Sequence, residues 1–338
     1  KVKIVGFIDK DFAPVGKWWY QRMTNLSYTT HTLVLIDQKV VDHFTEINNS
    51  SSSEYYRFEV RLVDEGNRRK QKIRNLWYHR IKYCLEQLEA GESILLTDVD
   101  NIFQRYVPLS EFYNSPYDTI YALEQKFPTL VKEQMGFVVC GGMTFLKSTP
   151  GTIAVVKQWL WHCTKTHEPD MKKARCDDQV QLNLLLVKSM TWNNENASRP
   201  ENLNYDDLIQ YGFDGYHINP NISFHAKVWD RDFAWRGDFD THITCPSREN
   251  NWVSMPTTLP KWTRDQLTEI NPRINHNVAM EKMSRVILWE LFCGGKEGTH
   301  HLKHVYNNET NPVRTLQQAI NLYKQRQGNL VAPNGWWQ

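Results

Sequence analysis

SILLTDVDNIF, residues Ser93 to Phe103, is an apolar run that ends in two carboxylates one residue apart. A short apolar run bounded by polar residues reads as a buried strand. Alternation along that strand sends Asp98 and Asp100 to one side and Val99 to the other. Just upstream, Ile73, Leu76, Trp77, Ile81, Cys84, Leu85 and Leu88 recur at three- and four-residue steps between Arg68 and Ala90, and Gly91 follows. That spacing predicts a long amphipathic helix with a glycine stop. Further back, VKIVGFI (Val2 to Ile8) and HTLVLID (His31 to Asp37) read as two more buried strands. The first hundred residues therefore alternate strand and helix, and the carboxylates fall at the carboxyl end of a later strand. In open α/β sheets that edge is where ligands bind.

The same pattern continues downstream. DTIYALE (Asp118 to Glu124) and FVVCGGMTFLK (Phe137 to Lys147) are strand-like, the second interrupted by a glycine pair. Thr149 and Pro150 suit the N-cap and first turn of a helix that carries Ile153, Val156, Leu160 and Cys163 on one face. Asp177, Asp178 and Gln179 open another, through Val180, Leu184 and Val187. From Met190 to Thr263 the chain is rich in Asn, Trp, Asp and Gly with little periodicity, which predicts long loops and a binding surface. Two helices are expected after it, one through Met280, Met283, Ile287 and Leu291, the other from Asn311-Pro312 through Tyr323. The expected organisation is an α/β domain over residues 1–260 and a helical extension over 261–338 packed on it. The serine tract Ser50 to Ser53 reads as a flexible loop.

Bulk properties exclude several classes of function. The chain has 338 residues and 41% hydrophobic content, enough for a sizeable core. Its 40 basic and 38 acidic residues give a formal net charge of +2, and no long basic run points to nucleic acid. Apolar runs such as Leu184 to Val187 fall far short of the ~20 residues that span a bilayer. The sequence starts at Lys1, so membrane attachment is expected only through an anchor or signal outside it. Cys84, Cys140, Cys163, Cys176, Cys245 and Cys293 are scattered with no CxxC pair, which argues against zinc. Sequons at Asn25, Asn48, Asn49, Asn196, Asn221 and Asn308 lean toward a secretory compartment, where some cysteines could pair. Cys84, on an apolar helix face, equally suits a buried free thiol.

Two carboxylates on one side of a strand end make a hard-oxygen site, suited to Mg²⁺ or Mn²⁺ and completed by phosphate oxygens. Like charges this close repel unless a cation joins them. By itself a D-x-D tripeptide is as often a solvated strand end or turn; the strand and helix before it supply the context.

ILLTDVDNIF, with CGGMTFLKST some way downstream and DDQVQLN after that, resembles the GT-A fold (Rossmann-like, a mixed sheet flanked by helices) of nucleotide-diphospho-sugar glycosyltransferases. The likeness is greatest to glycosyltransferase family 77, with echoes of families 34 and 8, and spans roughly residues 1 to 250. It implies that Asp98 contacts the ribose or metal and that Asp100 chelates Mn²⁺ or Mg²⁺ on the donor diphosphate. WRGDFDTHITCPSR (Trp235 to Arg248) is similar to the family-34 pattern of Gly-Asp-Phe, a His and then Gly-Cys, so the resemblance assigns His242 as the third metal ligand. Here Thr244 stands before Cys245 where the pattern has glycine, and His225 is the rival histidine. Arg248 falls where family 8 often has a phosphate-binding lysine.

The donor needs further contacts. Gly141 and Gly142 lack side chains and permit a close approach, by ligand or by backbone in a bulge. The related families place a D-Q element where Asp178 and Gln179 stand, to hydrogen-bond sugar hydroxyls; Asp177 is expected to cap the helix and border the donor site. Phe7 and Ile8, at the end of the first strand, are assigned to the nucleotide-sugar. Arg74 and Arg80 lie nearest the apolar stripe of a basic helix start and could reach the diphosphate, although such a run is commonly a solvated face. Trp229 and Trp235, with Trp252 nearby, could stack on an acceptor sugar, although most tryptophans are core.

The function expected from the resemblance is a metal-dependent retaining transfer from a UDP-sugar or similar donor to a glycan or glycoprotein, in the Golgi or another secretory lumen. Asp178 and Gln179 would position and stabilise electrostatically, with no side chain nominated as covalent nucleophile. Two alternatives compete. A haloacid-dehalogenase-like phosphohydrolase also ends a strand in D-x-D, but there the motif opens the domain. A catalytically silent carbohydrate-binding protein of the same fold is the non-enzyme alternative.

Overall fold

A computed structural model describes residues 1–50, 55–63, 69–124, 127–165, 177–191, 213–216, 222–237, 250–257, 281–282, 284–286 and 289. In chain order the elements are β1 (Val2–Ile8), α1 (Ala13–Asn25), β2 (His31–Leu35), α2 (Gln38–Ser50), β3 (Phe58–Val60), α3 (Arg69–Glu89), β4 (Ser93–Thr97), β5 (Ile102–Phe103) and α4 (Leu109–Tyr113). There follow β6 (Thr119–Glu124), α5 (Thr129–Met135), β7 (Val138–Leu146), α6 (Pro150–Lys165), α7 (Asp178–Ser189), β8 (Met190–Thr191), β9 (Phe213–Tyr216), β10 (Ser223–Val228), β11 (Ala234–Gly237) and β12 (Val253–Pro256). The architecture is mixed α/β: a nine-stranded sheet of order β3-β2-β1-β4-β7-β6-β10-β9-β8, with helices, and a three-stranded sheet of order β11-β12-β5.

β4 lies inside the large sheet, between β1 and β7. It pairs parallel with β1, Leu95 opposite Ile4, and antiparallel with β7, Leu95 opposite Phe145. All five of its residues are buried; Ile94, Leu95 and Leu96 are the apolar run expected when both sheet faces are covered, and Ser93 Oγ accepts from the Ser148 N–H at 3.0 Å. α3 delivers the chain to it. Ile81, Cys84 and Leu88 face the core, and Gly91, at φ +84°, closes the helix while the Glu92 N–H reaches back to the Gln87 carbonyl at 2.9 Å. A left-handed residue there costs glycine nothing. Two caps fix neighbouring helices: the Val40 N–H donates to Asp37 Oδ1 at 2.9 Å, and the Thr152 N–H to Thr149 Oγ1 at 3.2 Å.

The chain divides into two compact units whose segments interleave: residues 1–9, 30–98 and 107–234 form the first, and 10–29, 99–106 and 235–338 the second. The first holds the large sheet and a core that includes Val5, Leu96, Leu146, Trp159 and Leu186. The second buries Trp18, Trp19, Met23, Phe103 and Trp252. Within it the Arg22 guanidinium donates to the Phe103 carbonyl, and Trp252 Nε1 to the Tyr28 hydroxyl at 2.9 Å.

Several sequence expectations change here. The stretch from 190 onward carries strands as well as loops. β10 alternates, with Phe224, Ala226 and Val228 buried, and its pairing with β6 and β9 extends the sheet. β7 is not interrupted by its glycines but runs through them as one nine-residue strand. Its pairing with β6 does shift register, Tyr121 facing Thr144 and Leu123 facing Val139, so the glycines lie in an irregularity of the ladder. Cys84, Cys140 and Cys163 are buried, and burial pushes the Cys84 thiol up to about 12. The serine tract from Ser51, the remaining cysteines and the helix expected from Asn311 lie outside the described residues. Of the helix expected through Met280, residues 281–282, 284–286 and 289 are described and helical. Among the described residues no helix is long and apolar enough to cross a membrane.

Candidate functional site

Asp98 follows the last residue of β4, and its N–H continues the ladder by donating to the Gly142 carbonyl at 2.8 Å. That brings its side chain over the glycine. A Cβ added at Gly142 would lie 2.3 Å from Asp98 Oδ2 and 2.8 Å from Cγ. No real Cβ tolerates such distances, so the glycine makes room for a carboxylate of the protein itself. Gly141 is different: an added Cβ would meet Gln179 Cα at 3.4 Å, near ordinary contact.

Arg80 organises what surrounds Asp98. It lies one turn before Cys84 on the inward face of α3, and only 8% of it is exposed. A guanidinium so placed must find partners inside the protein. Nη1 lies 2.9 Å from Asp98 Oδ1 and 3.6 Å from Asp178 Oδ2, and Nη2 donates to the Gly141 carbonyl at 3.0 Å. Burial works to lower its pKa, but Asp98 and then Asp178 outweigh that and hold it above the ordinary value. Arg80, a candidate from the sequence for a donor diphosphate, here meets groups of the protein itself. Its fork is committed to two protein carboxylates and a carbonyl. Arg74, earlier on α3, is half-buried.

α7 brings the third member. Asp177 caps it, Oδ1 accepting from the Val180 N–H at 3.1 Å, as its position before the apolar run predicts. Burial raises its pKa. Asp178 is buried. Its carbonyl accepts from Trp159 Nε1 at 2.8 Å and its Oδ1 from the Gln179 N–H at 2.8 Å, while Oδ2 has no hydrogen-bond donor among the described residues. Burial, with Asp177 and Asp98 adding and Arg80 opposing, pushes its pKa up to about 6. The Gln179 carboxamide ties the chain at Phe127 to β7: Nε2 donates to the Phe127 carbonyl at 2.9 Å, and Oε1 accepts from the Gly141 N–H at 3.3 Å. Asn183, which sequence reading passed over, clamps β7 by accepting from the Val139 N–H and donating to the Val139 carbonyl, both at 2.8 Å. Its signal was an amide between Leu182 and Leu184 on a largely apolar helix.

The division between units passes directly after Asp98. In the second unit, Asp100 Oδ1 lies 2.9 Å from Lys282 Nζ, and that ammonium stands 5.8 Å from the centre of the Phe12 ring. Nothing in the sequence singled out Lys282.

The remaining assignments divide. Phe7 packs edge-on to Tyr83, ring centres 5.5 Å apart, and Ile8 is buried. Trp229 is corrected from an acceptor platform to a core residue: it is 6% exposed and packs against Phe112 at 5.7 Å. Trp252, fully buried, is corrected likewise. Trp235 is half-buried on β11. His225 is exposed on β10, its N–H donating to Asp118 Oδ2 at 2.8 Å. His242 and Arg248 lie outside the described residues.

The fit to a divalent ion rests on donor chemistry. Asp98 and Asp100 offer hard oxygens, and each already meets a protein cation, Arg80 or Lys282. A carboxylate that accepts a cation there suits a metal ion chemically. Among the described residues no group of three or more His, Cys, Asp or Glu side chains gathers around a metal-sized position.

No curated protein matches the chain. Among solved structures, the galactosyltransferase LgtC, in complex with donor and acceptor sugar analogues, is similar at TM-score 0.45 and 10% identity, over 92% of this chain and 98% of that one. The glycosyltransferase GlyE of Streptococcus pneumoniae is similar at 0.39 and 10%, over 96% and 65%. Mouse xyloside xylosyltransferase 1 is similar at 0.38 and 10%, over 70% and 87%. Such distant likenesses carry no residue's role across. The nucleotide-diphospho-sugar transferase family model matches residues 31–244, more than half of the sequence and the whole Arg80–Asp98–Asp178 cluster, and the chain belongs to that family of glycosyltransferases.

Proposed function

We propose that this glycosyltransferase is metal-dependent and retaining, and moves a sugar from a UDP-sugar or related donor to a carbohydrate or glycoprotein acceptor. The observation that carries the reading is the Arg80–Asp98–Asp178 cluster at the carboxyl end of β4, inside the segment that matches the family. Ligand sites of open α/β sheets form at that edge. Asp98 and Asp100 are the carboxylates that would hold Mn²⁺ or Mg²⁺, with His242 completing the set by resemblance. A divalent ion bound there neutralises charge on a departing diphosphate.

Retention and the nearness to family 77 rest on the resemblance of ILLTDVDNIF and DDQVQLN. The geometry of Asp178 fits its expected part. The side chain is buried, with Oδ1 engaged by a backbone N–H and Oδ2 facing Arg80, which supports an electrostatic part over attack on an anomeric carbon. A secretory location rests on the sequons.

The test is a panel of nucleotide sugars assayed for nucleoside diphosphate release, with Mn²⁺ and with chelator, on the wild type and on Asp100→Ala. Release that needs Mn²⁺ and drops at least about tenfold in the variant is expected. Undiminished release by Asp100→Ala would refute the metal assignment, and an inverted anomeric product by NMR would refute retention.

A further inference from the structure

We propose that Lys282 is the resident counter-cation of Asp100, and that a divalent ion reaches this carboxylate only by exchange with the Lys282 ammonium. The inference rests on the metal-dependent reading above and adds a competitor that the reading did not contain. Lys282 Nζ stands 2.9 Å from Asp100 Oδ1, and the two side chains are 23% and 10% exposed. An ionised carboxylate that far from water requires a cation beside it. The ammonium is held from a second direction by the Phe12 ring, at 5.8 Å from its centre. The neighbouring helical cation, Arg285, is engaged elsewhere: its Nη2 donates to Glu281 Oε1 at 3.2 Å and its Nη1 to the Pro256 carbonyl at 3.4 Å.

The physical consequence is competition. An ammonium at hydrogen-bonding distance and a divalent ion cannot share one carboxylate oxygen without placing three positive charges within a few ångströms. In a half-dry environment such repulsion is much stronger than in water. The ion therefore gains the carboxylate while losing the existing pair, and its apparent affinity is lowered by the strength of that pair. Lysine suits an exchangeable occupant: its charge sits at the end of a flexible four-carbon stem and makes a single contact with the carboxylate.

The experiment is Mn²⁺ binding to the full chain without nucleotide, read from the electron paramagnetic resonance signal of the free ion, on the wild type, Lys282→Met and Lys282→Gln. Both substitutions remove the ammonium; methionine also keeps an unbranched apolar stem near Phe12. Each variant is expected to bind Mn²⁺ about five- to tenfold more tightly than the wild type, and Asp100→Asn in the Lys282→Met background to lose that gain. Unchanged or weaker binding in both folded variants overturns the exchange while leaving the metal site standing. Absence of Mn²⁺ binding in the wild type and both variants overturns the metal-dependent reading and the exchange with it.

Discussion

Substituting Gly142 by alanine tests the contact on which the cluster is built. The new Cβ would fall 2.3 Å from Asp98 Oδ2, 2.8 Å from Cγ and 3.2 Å from Oδ1, so the carboxylate or the strand must move. The Asp98 side chain is 32% exposed and can swing toward water, but doing so breaks its 2.9 Å pairing with Arg80 Nη1. Arg80 is then left in the protein with Asp178 at 3.6 Å and one carbonyl. Overpacking of this kind costs about 1–3 kcal/mol, and the disturbed ion pair adds to it. Gly141→Ala is the internal control. Its Cβ would find Gln179 Cα at 3.4 Å, and replacing a strand glycine by alanine otherwise recovers roughly 0.5–1 kcal/mol of backbone entropy. Urea unfolding should therefore place Gly142→Ala about 2 kcal/mol below the wild type and Gly141→Ala close to it. In an Asp98→Ala background the obstructing carboxylate is gone, and Gly142→Ala should cost less than half as much, a coupling of about 1–2 kcal/mol. Equal costs of Gly142→Ala in the two backgrounds, or equal costs at the two glycines, would refute the proposed contact.

Two further perturbations address the same cluster. Arg80→Met should destabilise the protein by about 3–5 kcal/mol, because it strands Asp178 and leaves the Gly141 carbonyl without its donor; Arg80→Lys should rescue little, since one ammonium cannot span three acceptors. Unfolding midpoints check both, and a fully stable Arg80→Lys would contradict the role of the fork. Asp178 makes stability depend on pH. Its folded pKa, pushed up to about 6 mainly by burial, exceeds the ordinary 3.8, so the folded state holds the proton more tightly. Its contribution is full below about pH 4 and is lost as pH rises through 6, roughly 3 kcal/mol in all. Asp178→Asn should flatten that part of the profile between pH 4 and 7; parallel profiles for variant and wild type would show that the carboxylate does not titrate there.

What the sequence disclosed follows from how far each signal reaches along the chain. β4 was legible because a strand buried on both faces carries consecutive apolar residues, here Ile94, Leu95 and Leu96, and α3 because its stripe repeats over many turns. The Asp177 and Thr149 caps are three-residue patterns. β10 has a period-two signal in Phe224, Ala226 and Val228, but its Asn-rich surroundings masked it. Trp229 and Trp252 show the limit of residue identity, since an indole suits a core as well as a sugar face, and only burial decides. Arg80 shows the limit of charge runs. Read locally it is one of several basic residues at a helix start, whereas its use depends on partners 18 and 98 positions away, and the Asn183 clamp on Val139 is likewise non-local.

The two aspartates of the motif have cations of different kinds, and that difference bears on which of them a metal could claim. Asp98 is held by a guanidinium with three partners on three segments, at Asp98, Asp178 and the Gly141 carbonyl. Removing that guanidinium from Asp98 would leave Asp178 without its counterion as well, so the arrangement resists exchange. Asp100 is held by one ammonium through one oxygen. Displacing it breaks the partly solvated pair at Asp100 Oδ1, and the lysine can then reach water with its head while its stem stays near Phe12. A cation arriving from solution therefore meets an Asp98 that is already part of a fixed scaffold and an Asp100 whose partner can leave. The two counter-cations therefore differ in how readily an arriving ion would displace them, an order that would reverse if Arg80→Met raised Mn²⁺ affinity more than Lys282→Met did.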